Sequence, residues 1–259
     1  MTSTDTLQED LALANGLADL AAEVAMEVYG RGFEVHRKPD LTPVTEADLR
    51  VERLIRDELA RRAPGDAVLG EEGGLEGDAS AGRTWVIDPI DGTKNFAAGI
   101  QVWATLIALM VGGEPVVGVA SAPALGERYD AVRGGGARLN GEPIHVSKAS
   151  EVADAMVCST GTHALVDTPW ERAYLQLARD AYRVRGFGDF WGHALVARGA
   201  ADVMLEPALR TWDWAAMKVI LEEAGGRMTM FDGAPTTDGG SALSTNGVLH
   251  EELVRRLSG

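Results

Sequence analysis

Two aspartates, Asp88 and Asp91, stand three residues apart in the segment WVIDPIDGTKNF (residues 85–96), after a β-branched apolar run and before a Gly-Thr turn. Carboxylates held this close repel one another, and a chain that keeps them at a predicted strand end needs a cation to hold the pair. Pro89 bends the chain between them, so that both carboxylates and the intervening Ile90 carbonyl point at one ion. Any fold open to this chain must therefore bring further ligands to this spot.

Candidates for those ligands lie elsewhere in the sequence. The segment LGEEGG places Glu71 and Glu72 directly after a predicted strand; alone it reads as an ordinary acidic loop. Taken with DPIDGT it supplies several hard oxygen ligands at strand ends, the set that Mg²⁺ prefers. Gly92-Thr93 opens a helical turn whose free backbone N–H groups can hold a phosphate oxygen. Metal beside phosphate means phosphoryl chemistry. Asp213 sits where the amphipathic run 214–224 begins, which fits a helix N-cap as well as it fits a metal ligand. Thr45 and Asp48 have the spacing of a capping box, and capping is the first reading of Asp48 taken alone.

The bulk of the chain narrows the functional class. Its 259 residues fit one large domain or two packed layers, with 46% hydrophobic residues for a core. A formal net charge of -15, from 39 acidic against 24 basic residues, repels nucleic acid and anionic membranes. An anionic substrate would then bind through a metal or a focused cationic site. The single Cys158 excludes an intramolecular disulfide and a zinc-cysteine cluster, so a cytoplasmic location is the default expectation. The acidic start MTSTDTLQED lacks the parts of a signal peptide, and the longest apolar run, 102–111, is about half a membrane span.

Periodicity predicts helices over 7–29 and from just after Thr45 to Arg62, the second carrying Leu49, Ile55 and Leu59. Strands are expected at 67–70 and 84–88, then a hairpin of two buried strands, VWATLIALM and VVGVASAP, joined by GGEP. Short strands with glycine turns continue from GERYDAV, so the first half reads as an antiparallel sheet with helices. From AMVCST onward strands and helices alternate, the pattern of α/β layering. The expected halves are 1–145, with most metal ligands, and 146–259, with Asp213 and the substrate-selecting residues.

The ordered segments KPDLTPVTEAD (38–48), GEE (70–72), WVIDPIDGTKNF (85–96) and WDWAA (212–216) resemble the inositol monophosphatase-like family of Mg²⁺-dependent, Li⁺-sensitive phosphatases. The resemblance covers nearly the whole chain. It implies an α/β (α+β) fold, a five-layer αβαβα sandwich of the inositol monophosphatase/fructose-1,6-bisphosphatase type, usually seen as a homodimer. It implies two or three Mg²⁺ ions held by Glu71, Asp88, the Ile90 carbonyl, Asp91 and Asp213. Gly92 and Thr93 would hold the phosphate, Thr93 and Asp48 with Glu71 would orient or deprotonate the attacking water, and Lys38 would lie in a loop that closes near the metals. Cys158 matches no nucleophile. The haloacid-dehalogenase phosphatases use an aspartyl nucleophile in a DxDGT motif, but here two residues separate the aspartates.

Selection of the ester must come from side chains near the leaving group. GDF at 188–190 stands where simpler inositol monophosphatases have small residues, and Glu206 matches a position that touches the organic part of the substrate. Two extra anions suit a cationic leaving group. With QVWATL and VASAPAL, these segments look like the family's histidinol-phosphate phosphatases, and Asp189 and Glu206 would bind the ammonium and imidazole. Inositol-1-phosphatase or broad sugar phosphatase activity is the alternative, and a non-catalytic metal-binding scaffold the other class. Asp189 as a cap of the helix starting at Phe190 is the plainer reading. Arg185 and Asn246 are further substrate candidates, each able instead to pair with backbone or a surface acid. His193 reads as a core or interface residue, the tryptophans as packing, and Gly134-Gly135-Gly136 as a turn.

Overall fold

A computed structural model of the chain describes residues 4–31, 35–37 and 43–258. The first half contains α1 (Thr4–Arg31), β1 (Val35–Arg37), β2 (Pro43–Thr45), α2 (Glu46–Arg62), β3 (Ala67–Gly70), β4 (Gly74–Glu76), β5 (Arg83–Asp91), α3 (Thr93–Ala97), β6 (Ala104–Val111), β7 (Glu114–Ala122), β8 (Glu127–Val132), β9 (Ala137–Leu139) and β10 (Glu142–Pro143). The second contains β11 (Met156–Ser159), α4 (Glu171–Asp180), β12 (Arg183–Arg185), α5 (Asp189–Ala197), β13 (Val203–Glu206), α6 (Thr211–Glu223), β14 (Arg227–Thr229), β15 (Ala242–Thr245) and α7 (His250–Leu257).

Eight strands form one sheet in the order β10-β9-β8-β7-β6-β5-β3-β4, antiparallel except for β3 beside β5. Five form a second in the order β12-β11-β13-β15-β14, where β11 runs parallel to both its neighbours. Helices α1 and α2 cover one face of the first sheet, packing Leu17, Val28, Val51 and Ile55 on Trp85, Ile87, Ile107 and Val117. Alternation along the same strands turns Val86, Leu106 and Ala120 to the other face, against Ala194 of α5 and Ala216 and Ile220 of α6. Those two helices also meet Met204 and Ala242 of the second sheet. Its far face, Val157, Val203, Leu205 and Leu243, packs on Tyr174 and Leu177 of α4 and on Leu253 and Leu257 of α7. The result is the five-layer αβαβα sandwich. Burial on both faces explains why β6 and β7 read as continuous apolar runs instead of alternating ones.

Close approach between layers depends on Gly118 of β7, where an added Cβ would sit 2.4 Å from the Ala216 carbonyl oxygen of α6. The second helix differs from expectation in one residue. Its buried stripe is Ala47, Val51, Ile55 and Leu59, whereas Leu49, half a turn from that stripe, is 56% exposed. The strand predicted at 84–88 runs on to Asp91. Sequence reading also omits β1, β2 and β4, each too short to show a period, and the C-terminal helix α7.

Candidate active site

β5 is where the opening pair of aspartates is decided. In a regular strand residues three apart face opposite sides of the sheet. Here Asp88 pairs with Leu106 and Asp91 with Ala104, so three steps on β5 oppose two on β6 and the strand bulges at Pro89-Ile90. Proline has no N–H to lose from the ladder, and its carbonyl accepts the Thr105 hydroxyl at 2.8 Å. The bulge turns both carboxylates to one side, where Asp213 joins them with carboxylate oxygens of all three within 4.8 Å of one another.

A second cluster, Asp48, Glu71 and Glu72, meets the same distance limit. The Glu71 loop is held from below by Glu52, a buried carboxylate that accepts the Glu72 N–H and the Gly73 N–H, both at 2.7 Å, and the Arg56 guanidinium at 2.8 Å. Gly70 makes room for it, since a Cβ there would lie 2.4 Å from the Glu52 carboxyl. Asp48 is both a cap and a site residue. Its Oδ2 accepts the Thr45 N–H at 2.8 Å and the Thr45 hydroxyl at 2.6 Å, closing the expected capping box. Its Oδ1 lies 3.3 Å from the Thr93 hydroxyl, which is also 2.9 Å from the Ile90 carbonyl. One hydroxyl proton serves only one of these acceptors at a time.

Beside the carboxylates, Gly92 precedes α3 with φ +82°, a conformation open to glycine, and a Cβ there would come 3.0 Å from the Val102 carbonyl. Asp213 also has two duties. The helix begins at Thr211, three residues earlier than expected, so Asp213 is its third residue and accepts the Arg210 N–H at 2.7 Å rather than standing at the N-cap.

Asp189 does not cap α5. It carries φ +54°, rare for a residue other than glycine, and its Oδ2 accepts the Asn95 amide at 3.1 Å. The cap comes from across the fold: Asp91 Oδ2 accepts the Phe190 N–H at 2.7 Å. These groups share a cavity of about 390 Å³ whose carboxylates are Glu71, Asp88, Asp91, Asp189, Glu206 and Asp213, with Lys94 as its one lysine or arginine among the described residues. Glu206 enters from the end of β13.

Burial and mutual repulsion shift these acids together. Desolvation, then Glu71 and Asp91, raise Asp88 well above the usual carboxylate range; desolvation, then Asp189 and Asp213, do the same to Asp91. Burial lifts Asp48 to about 6, Asp213 to about 7 and Glu206 to about 8, and raises Asp189 against the pull of Lys94. Asp88 is 2% exposed and its Oδ1 has no hydrogen-bond partner among the described residues. An orphaned carboxylate oxygen within an all-oxygen cluster fits a hard divalent cation, whose charge reverses the repulsion.

Other expected residues fall elsewhere. Arg185 turns its Nη1 to the Val184 carbonyl at 2.7 Å, and Asn246 is satisfied by Ser147, Ala149 and Leu249; neither lines the cavity. Lys38 lies outside the described residues. Cys158 is buried with its thiol pushed up to about 12, in keeping with its reading as no nucleophile. Asn95, Thr160, His163 and Leu209 also line the cavity without having been singled out in the sequence. Asn95 had a signal, since it stands two residues after Thr93 in the same motif.

Fold and site together define a metal-dependent phosphatase. The chain belongs to the inositol monophosphatase family, whose model matches residues 6–258. It is 46% identical over 258 residues to the histidinol-phosphatase of Mycobacterium tuberculosis, covering 96% of this chain and 98% of that one. To the histidinol-phosphatase of Streptomyces coelicolor it is 44% identical, covering 96% and 97%. The solved inositol monophosphatase of Anabaena (Nostoc) sp. superposes with a TM-score of 0.86 at 31% identity, covering 98% and 96%.

Proposed function

We propose that this protein is a Mg²⁺-dependent phosphomonoesterase that hydrolyses L-histidinol phosphate to L-histidinol and inorganic phosphate. The observation that carries the choice of ester is the presence of Asp189 and Glu206 in the cavity that holds the metal-type carboxylates. Histidinol phosphate carries an ammonium and an imidazole on its leaving group, and each carboxylate can bind one of them. A polyol leaving group brings no charge to offset the burial of those two acids. The names of the mycobacterial and streptomycete relatives support the same reading.

Two or three Mg²⁺ ions held by Glu71, Asp88, the Ile90 carbonyl, Asp91 and Asp213 would supply Lewis-acid polarisation of the phosphoryl group and an acidified water. The protein's own groups do the positioning. The Gly92 and Thr93 N–H groups at the start of α3 hold phosphoryl oxygens. Water attacks phosphorus in line with the ester oxygen, its proton passing through the Thr93 hydroxyl to Asp48, while Glu71 orients it. The new O–P bond forms as the ester P–O bond breaks, and the departing oxygen takes up a proton from water to give L-histidinol, so no phosphoenzyme is made. By family resemblance the working form is a homodimer, and with a single cysteine the default location is the cytoplasm.

Phosphate release from L-histidinol phosphate, inositol 1-phosphate and fructose 1,6-bisphosphate, with and without Mg²⁺, tests this. Histidinol phosphate is expected to lead by about tenfold or more in kcat/KM, and only with the metal. Equal or faster turnover of inositol 1-phosphate would overturn the substrate and leave the chemistry. Mg²⁺ binding with no turnover of any ester would make the protein a scaffold.

A further inference from the structure

Behind Glu206 lies a buried polar chain that the reaction above does not use. His193 of α5 is wholly buried, its Nδ1 is 2.7 Å from the Ser244 hydroxyl of β15, and its Nε2 is 3.9 Å from Glu206 Oε2. Neither Nε2 nor Oε2 has a hydrogen-bond partner among the described residues. Two unsatisfied polar atoms facing each other in a core are costly, and a gap of 3.9 Å is too narrow for a bridging water. A shift of about 1 Å by the Glu206 carboxyl closes it to a direct hydrogen bond.

We propose that His193 is a positioning residue for leaving-group selection: Ser244 donates to its Nδ1, which fixes the proton on Nε2, and Nε2–H anchors Glu206 Oε2 so that the other carboxylate oxygen is presented to the cationic part of the ester. The inference rests on the reading of Glu206 as a leaving-group contact. Burial holds His193 at about 4, so the ring is neutral at working pH and the tautomer, not a charge, does the anchoring. Thr160 lines the same cavity as Glu206. Held by Nε2–H, Glu206 loses the freedom to turn away from an incoming ammonium or imidazole.

Full-length wild type, His193→Leu and His193→Gln are compared on L-histidinol phosphate and on p-nitrophenyl phosphate, whose leaving group has no cation. His193→Leu is expected to raise KM for histidinol phosphate by about tenfold with kcat within about threefold, and to leave p-nitrophenyl phosphate within about twofold. His193→Gln, which keeps an N–H donor near Nε2, should recover most of the loss. The Kd for L-histidinol by calorimetry should follow the same order, and ¹⁵N NMR of the wild type should show the proton on Nε2. Equal losses on both esters, no rescue by glutamine, or a proton on Nδ1 would overturn the proposal. If His193→Leu does not fold, Ser244→Ala should give the same split at about threefold, and an unchanged Ser244→Ala overturns it. A wild type without preference for histidinol phosphate would instead fail the substrate reading, and the NMR result then decides the His193 contact alone.

Discussion

Asp91 Oδ2 accepts the backbone N–H of Phe190 at 2.7 Å, so one carboxylate of the metal-type cluster also caps the helix that carries Asp189. The Asp88, Asp91 and Asp213 cluster and the Asp189 end of the cavity are thereby tied at a single side chain. Asp91→Asn keeps an acceptor for that N–H and should preserve Tm to within a few degrees while lowering kcat by about 100-fold or more. Asp91→Ala should in addition lose about 1 kcal/mol of stability with the cap. Thermal melts beside steady-state kinetics separate the two duties.

Repulsion among Asp88, Asp91 and Asp213 makes the metal-free protein carry stored electrostatic strain. Adding Mg²⁺ should raise Tm by roughly 5–10 °C, and EDTA should reverse it. Asp88→Asn removes a buried charge whose Oδ1 has no partner among the described residues, so without metal it should melt higher than wild type yet show no shift with Mg²⁺. Differential scanning calorimetry on both proteins checks this crossover.

Glu52 touches no substrate and yet holds the backbone of the loop that presents Glu71. Glu52→Ala would leave the Glu72 and Gly73 N–H groups and the Arg56 Nε without their acceptor, while Arg56 keeps the Gly74 carbonyl, at about 2–4 kcal/mol. The expected result is a lower urea midpoint together with a weaker apparent affinity for Mg²⁺ in turnover assays.

Gly118→Ala drives a Cβ to 2.4 Å from the Ala216 carbonyl oxygen and must push α6 away from β7. A loss of about 2 kcal/mol in chemical denaturation is expected. Because α6 carries Asp213, activity at limiting Mg²⁺ should fall more than activity at saturating Mg²⁺.

His250 is buried between the Thr229 and Thr245 hydroxyls, at 3.0 and 2.9 Å, and burial lowers it to about 4 from an ordinary 6.5. The unfolded chain therefore takes up a proton first as pH falls. The stability contributed by the neutral ring is complete above about pH 6.5 and is lost progressively towards about pH 4. The stability difference between wild type and His250→Gln should shrink by about 1 kcal/mol from about pH 7.5 to about pH 5.5, measured by urea unfolding.

The chemistry of the site was legible in the sequence because ligand types and their local spacing are local properties. DPIDGT, GEE and the acid before the 214–224 run named the carboxylates, and apolar periodicity named most helices and buried strands. Leu49 misled, since its apolar character says nothing about which side of α2 it occupies. Arg185 and Asn246 were plausible as isolated polar residues, but only their partners in space place them outside the cavity. Glu52 gave no local sign of its role, because the N–H groups it accepts lie 20 residues away.

Local sequence is enough to name the candidate oxygen ligands and the Gly92-Thr93 turn, and to show that a leaving group beside Asp189 and Glu206 would meet negative charge. Tertiary structure decided how those pieces share their work. Asp189 looked like the cap of its own helix, but Asp91, 99 residues before Phe190, supplies that cap and leaves Asp189 facing the cavity in a left-handed conformation. His193 looked like a core histidine and stands 3.9 Å behind Glu206. A hydrogen bond is specific to distances of about 3 Å, and residues distant along the chain reach such distances only once the layers have packed.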